Sequence, residues 1–301
     1  MSNPASGPVP GDLRARAQAL GQALPPLVVE AERLAASLMI GEHGRRQAGQ
    51  GEDFWQYRPA MPGDAQRAID WRRSARGDVP YLRQTEWQSA QAVMLWADPS
   101  LSMDFTADAG RPTKADRARL LALALGAALL RGGERAGWLT SGDDTALTPA
   151  RTGRAHLARL GMAAARGADS DHAHPSAGGL VAHGRAVLLS DFFGPIDPLR
   201  VFLAQAADRG VRGALVQVLD PVEEGFPFAG RTLFESMSGA VRHDTMAAEG
   251  LAADYRARLD QRRAELGDLA RAVGWDLHLH HTDQGAQGAL VWLWRVLERR
   301  R

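Results

Sequence analysis

The chain contains no cysteine, which excludes a disulfide framework and accords with a reducing cytosol. Long apolar runs are missing as well. No stretch reaches the roughly eighteen residues that a membrane-crossing helix needs, and residues 1–8 show no basic segment ahead of an apolar one. The expectation is a cytoplasmic protein with no membrane span. Excess charge of either sign is absent too. A formal net charge of +1 speaks against a general nucleic-acid binder, which carries a strongly basic face. Lysine is almost missing, Lys114 being the one lysine among 36 basic residues. There is no Gly-x-Ser-x-Gly elbow, Walker-type phosphate loop or His-Glu-x-x-His helix, so no catalytic residues stand out and enzyme activity is not expected.

What is present is a chain of 301 residues, 45% hydrophobic, long enough to bury a sizeable core. Its most informative segment is Val93-Met94-Leu95-Trp96-Ala97, an apolar run of strand length that stops at Asp98 and continues Pro99-Ser100-Leu101-Ser102. In a parallel sheet covered by helices on both faces, loops leaving the carboxyl ends of the strands form the ligand crevice. Asp98, Ser100 and Ser102 are therefore expected to point into it. A carboxylate with two neutral hydroxyls suits a hard divalent ion, Mg²⁺ or Mn²⁺. The plainer alternative is a strand-end cap, in which the same groups accept from backbone N–H groups of the next turn. A second run, Ala186-Val187-Leu188-Leu189-Ser190, ends in the same way at Asp191, with Phe192-Phe193-Gly194-Pro195 as a turn behind it. Asp191 reads either as a further ligand or as the cap of the next helix.

The surrounding pattern supplies a scaffold. Helices are expected over 11–23 and 26–39, broken by Pro25-Pro26. Lys114 to Arg131 reads as a buried crossover helix stopped by Gly132-Gly133. A hairpin over 136–140 and 145–148, a helix at 153–165, a strand at 185–190, a helix at 197–209 and a strand at 213–219 follow. After an excursion at 221–246 come a helix at 247–272, a strand at 275–281 and a helix at 286–299. This alternation is that of an α/β fold, with a mostly parallel sheet and helices on both faces. Residues 41–90 are rich in Gly, Pro and Arg but hold Trp55, Trp71 and Trp87, so they read as an ordered arm. Arg67, Arg72, Arg73, Arg76 and Arg83 crowd this arm, where they either pair with neighbouring acids or grip phosphates. His278 and His280 share one face of the last strand, and with no third ligand in view an exposed strand face is expected.

Asp98, Ser100, Ser102 and Asp191 match one by one the metal-ion-dependent adhesion site of von Willebrand factor A domains: Asp-x-Ser-x-Ser, a distant Thr, and an Asp after a later strand. The chain resembles that family here. The resemblance implies a Rossmann-type von Willebrand factor A-like fold and Mg²⁺ or Mn²⁺ bound at these residues. Where the family has its Thr, this chain reads Arg166-Gly167-Ala168-Asp169-Ser170-Asp171, and the Ser170 hydroxyl stands in. A more specific likeness lies upstream, in Gly41-x-His43, Gly49-x-Gly51-Glu52-Asp53-Phe54, Arg58-Pro59, Pro62-Gly63-Asp64, Arg67-x-Ile69-Asp70-Trp71, Ser74-Ala75-Arg76, Arg83 and Glu86. This block, and Val218-Leu219-Asp220-Pro221-Val222-Glu223 further on, resembles the family called domain of unknown function 58.

Together these readings divide the chain into N-terminal helices (1–40), a signature arm (41–90) and a von Willebrand factor A-like domain (91–301) with its excursion at 221–246. Because members of the family are often encoded beside MoxR-type AAA+ ATPases, the resemblance implies an adaptor. The expected function is metal-dependent docking, in which an acidic side chain of a MoxR-type ATPase, or of another protein, completes the coordination of the ion. The alternatives are a Mg²⁺-dependent phosphohydrolase, with Asp98 accepting the phosphoryl group near Lys114, and a scaffold with a vestigial metal site.

Overall fold

The computed structural model describes residues 24–41, 54–60, 69–74, 80–85, 90–142 and 146–299. Two compact units separate, Met1–Glu42 with Gln91–Arg301, and His43–Ala90. Among the described residues the larger opens with α1 (Leu24–Gly41). Pro25 and Pro26 sit in the first turn of this helix, which opens two residues ahead of the expected 26–39. Backbone N–H groups there have no intrahelical acceptor, so proline loses nothing. Ala31 and Ala35 are fully buried, and these small side chains let α1 settle closely on the main body. The helix expected at 11–23 lies outside the described residues, as does His43.

In the smaller unit, β1 (Phe54–Pro59) pairs antiparallel with β2 (Tyr81–Thr85). A single helical turn between them, α2 (Trp71–Ser74), is pinned by Ser74, whose Oγ donates to the Asp70 carbonyl at 2.7 Å and accepts from the Tyr81 N–H at 2.9 Å. The arginine side chains of the arm lie outside the described residues.

The larger unit continues through β3 (Ala92–Ala97), α3 (Lys114–Arg131), β4 (Arg135–Trp138), β5 (Thr148–Arg151), α4 (His156–Ala164), β6 (Arg185–Ser190), α5 (Ile196–Asp208) and β7 (Arg212–Leu219). It closes with α6 (Pro221–Gly225), the hairpin β8 (Thr232–Glu235) and β9 (Arg242–Thr245), α7 (Ala252–Ala272), β10 (Asp276–His281) and α8 (Ala286–Glu298). One sheet carries the strand order β10-β7-β6-β3-β4-β5. Every neighbouring pair is parallel except β4 and β5. The second strand of the expected hairpin thus starts at Thr148, where the sequence reading had it end.

Burial of the central strands on both faces follows from side-chain alternation. Val93, Leu95 and Ala97 join the cluster formed with α1, α3, α4 and α8, whereas Met94 and Trp96 join the one formed with α5 and α7. β6 divides in the same way, with Val187 and Leu189 on one side and Ala186 and Leu188 on the other. The architecture is therefore mixed α/β, a mostly parallel central sheet with helices on both sides.

Strand order also locates the crevice. From β3 the chain moves outward to β4 and β5, then returns to lay β6 on the opposite side of β3. The segments leaving β3 and β6 diverge to opposite faces, and this divergence is where open α/β sheets bind ligands.

One strand face differs from its expectation. His280 is not exposed: it retains 1% of its accessible surface, and its Nε2 lies 3.0 Å from Nη1 of Arg117. Arg117 also donates through Nη2 to the Thr282 carbonyl at 2.9 Å and through Nη1 to the Gln284 carbonyl. α8 covers this face, and His278 stacks on Trp292 at 4.6 Å. Burial, helped by the neighbouring Arg117 charge, pushes the His280 pKa down from 6.5 to about 3. Below pH 6.5 the unfolded chain takes up a proton that the native imidazole refuses. Stability is thus whole above that pH and is lost as pH falls toward 3. Between pH 7 and 4.5 the wild type is expected to lose about 2 kcal/mol more than His280→Gln. Urea midpoints at the two pH values measure this, and equal losses would refute it.

Candidate functional site

The loop after β3 is organised around the Asp98 carboxylate. Its Oδ1 accepts from the Ser100 N–H at 2.9 Å, and its Oδ2 accepts from the Ser190 hydroxyl at 2.6 Å. Ser100 and Ser102 hold their hydroxyl oxygens 3.2 Å apart. Asp98 is 3% exposed and Ser100 1%. Among the described residues the partners of Asp98 are amide and hydroxyl donors, and none is a cation. Burial accordingly raises its pKa, the negative charge of Asp191 adds to the effect, and the hydrogen bonds from Ser100 and Ser190 oppose it. Of the strand-end cap read from the sequence, the carboxylate's part is present, through the Ser100 N–H, while Ser100 makes no side-chain cap; the carboxylate is left short of positive charge.

Asp191 follows β6. Its Oδ1 accepts from the Phe193 N–H at 3.0 Å, and Phe192 between them takes the left-handed conformation at φ 54°. That is a strained backbone for an aromatic residue. Asp191 Oδ2 accepts from the Lys114 Nζ at 2.8 Å. Lys114 opens α3, behind the Thr113 cap, and its ammonium also donates to Glu223 Oε1 at 2.6 Å. Lys114 and Asp191 are each 1% exposed, and the rings of Phe193 and Phe105 lie 5.1 and 5.7 Å from the ammonium. Burial alone would lower the Lys114 pKa, but Asp191 and Glu223 outweigh it and raise the value, so the lysine stays charged. Glu223 is itself fixed by a capping box at the start of α6, where its Oε2 accepts from the Asp220 N–H at 2.9 Å and the Asp220 carboxylate accepts from the Val222 N–H at 3.0 Å.

Residues 168–171 run beside the β3 loop. Ala168 N–H donates to the Pro99 carbonyl at 3.0 Å, Leu101 N–H to the Ser170 carbonyl at 2.9 Å and Ser102 N–H to the Asp171 carbonyl at 3.1 Å. The Ser170 hydroxyl is exposed and donates to the His172 carbonyl at 2.9 Å. Asp98, Ser100, Ser102 and Asp191 thus meet at one end of the sheet, whereas Ser170 adjoins them through its backbone.

Hard oxygen donors of this kind fit a divalent ion. The Lys114 ammonium pairs with Asp191 and Glu223 and leaves Asp98 without a cation, so the cluster has negative charge to spare. Among the described residues no group of three or more His, Cys, Asp or Glu side chains stands ready for a metal. A cation here would therefore depend on the Ser100 and Ser102 hydroxyls.

A family model described as "Protein of unknown function DUF58" matches residues 56–265. The chain belongs to this family. It is 29% identical over 284 residues to uncharacterized proteins of Mycobacterium bovis and Mycobacterium tuberculosis, which covers 88% of this chain and 86% of each of those. Among solved structures it is similar to the conserved hypothetical protein BatB from Bacteroides thetaiotaomicron, at TM-score 0.42 and 12% identity over 69% of this chain and 98% of that one. An aerotolerance-related membrane protein from Bacteroides fragilis gives TM-score 0.40 and 12% identity over 70% of this chain and 100% of that one. Among the described residues of this DUF58 chain, no helix is long and apolar enough to cross a membrane.

Sequence reasoning had no role for Glu223 and brought Lys114 in only for the phosphohydrolase alternative. Two signals pointed to them. A lone lysine in an arginine-rich chain is a residue kept for something arginine's planar fork does not do. Asp220-x-x-Glu223 directly after an apolar strand has the spacing of a capping box.

Proposed function

We propose that this DUF58 chain carries a von Willebrand factor A-like domain acting as a cation-dependent docking module, with Mg²⁺ or Mn²⁺ held by Asp98, Ser100, Ser102 and Asp191. The observation that carries this reading is the Asp98 carboxylate, 3% exposed and without a cationic partner among the described residues, beside two hydroxyls 3.2 Å apart. A buried carboxylate left ionised and unpaired is costly, so the site gains most from an added cation. When bound, such an ion supplies an open coordination position for an acidic side chain of a partner protein. A MoxR-type AAA+ ATPase is the partner that the family resemblance implies. Ser100 and Ser190 hold Asp98 in place through its two oxygens, and the Phe193 N–H does the same for Asp191, so the ligands are oriented beforehand.

Mn²⁺ at about a hundred times its Kd is expected to stabilise the wild type by about 2.7 kcal/mol. Asp98→Asn keeps the shape and removes the charge, and is expected to weaken Mn²⁺ binding by a factor on the order of a hundred. Thermal melts with and without Mn²⁺ measure both effects. A wild type that Mn²⁺ does not stabilise would leave the cluster as a vestigial scaffold. Capture of a purified MoxR-type ATPase that is lost in chelator and in Asp98→Asn tests the partner.

One observation favours a second reading. The Lys114 ammonium lies in the same cluster, as a phosphoryl acceptor at Asp98 would require. Mg²⁺-dependent turnover of a phosphate monoester by the purified protein, abolished in Asp98→Asn, would select this hydrolase reading.

A further inference from the structure

Lys114 is the one lysine of the chain, and its ammonium is shared between two buried or nearly buried carboxylates, at 2.8 Å from Asp191 and 2.6 Å from Glu223. Asp98 has no comparable cation among the described residues. The two strand-end aspartates are therefore unequal: one is already neutralised from within the chain, the other is not. Asp191 Oδ1 is engaged by the Phe193 N–H and Oδ2 by the ammonium, so a divalent ion reaching for Asp191 meets a positive charge on the same carboxylate. Glu223 is anchored by the α6 capping box, which gives the ammonium a second fixed partner when Asp191 turns to another cation.

We infer that Lys114 is an internal competitor for the divalent cation, occupying Asp191 while the site is empty and resting on Glu223 when the site is loaded. The inference builds on the cation reading above. It assigns Lys114 the work of setting affinity: the protein takes up the ion weakly, and gives it up readily, because Asp191 always has an alternative partner. Two like charges around one carboxylate repel strongly where water is excluded, which is why one buried ammonium is enough to matter.

Isothermal titration of the full chain with Mn²⁺ tests this. Lys114→Met keeps the apolar stem and removes the ammonium; Lys114→Met with Glu223→Gln removes a positive and a negative charge together, leaving the net charge unchanged. Both are expected to bind Mn²⁺ about tenfold more tightly than the wild type. The double variant decides, since its gain cannot come from altered net charge and it leaves no orphaned carboxylate at position 223. Far-UV circular dichroism and a urea transition certify that it folds. Equal or weaker binding by the double variant, with binding by the wild type intact, overturns the inference and spares the cation reading. Absence of Mn²⁺ binding in all three proteins overturns both.

Discussion

Lys114→Met is expected to lower folding stability by about 3–5 kcal/mol, because it leaves Asp191 and Glu223 as buried carboxylates without their shared counter-charge. Water screens the pair little: Lys114 and Asp191 are each 1% exposed. Lys114→Met with Glu223→Gln should cost much less, about 2 kcal/mol, because only Asp191 then lacks a cation and the carboxamide introduced at position 223 can still accept from the Asp220 N–H. The double variant's cost minus the summed costs of Lys114→Met and Glu223→Gln is the coupling energy between these neighbours. Urea midpoints at constant slope measure it. A Lys114→Met variant as stable as the wild type would show that the ammonium is not the counter-charge of the site.

Gly213→Ala is expected to cost about 3 kcal/mol or more and to leave little folded protein. Gly213 stands opposite Ala186 in the β6–β7 ladder, and an added Cβ would lie 1.8 Å from the Ala186 carbonyl oxygen. That oxygen belongs to the backbone of a central strand buried on both faces, so neither side can give way. Gly225→Ala is the control: a Cβ there meets nothing within 4 Å, and the change is expected to be neutral or slightly stabilising through the unfolded state. Soluble yield and the urea transition separate the two. Comparable stability of Gly213→Ala would mean that β6 and β7 are not paired in this register.

Much of the scaffold was legible because its signals are local. β3, β6 and β7 are apolar runs of strand length, and α3 is a leucine-rich segment with a Thr113 cap and Gly132-Gly133 behind it. Boundaries slipped where local signals conflicted. At Thr148 the turn residues concealed where pairing resumes.

The amino-acid order by itself determined the alternation of strands and helices and the position of an aspartate at the end of two apolar strands, since side-chain period and turn chemistry act over a few residues. Which distant side chains meet was set by the folded chain. Lys114 reaches Asp191 and Glu223 across separations of 77 and 109 residues. His280 is buried because α8 folds back over its strand, and Ser170 spends its hydroxyl on its own loop. Such encounters depend on strand order and on which face each crossover takes, and no local pattern of residues carries that information.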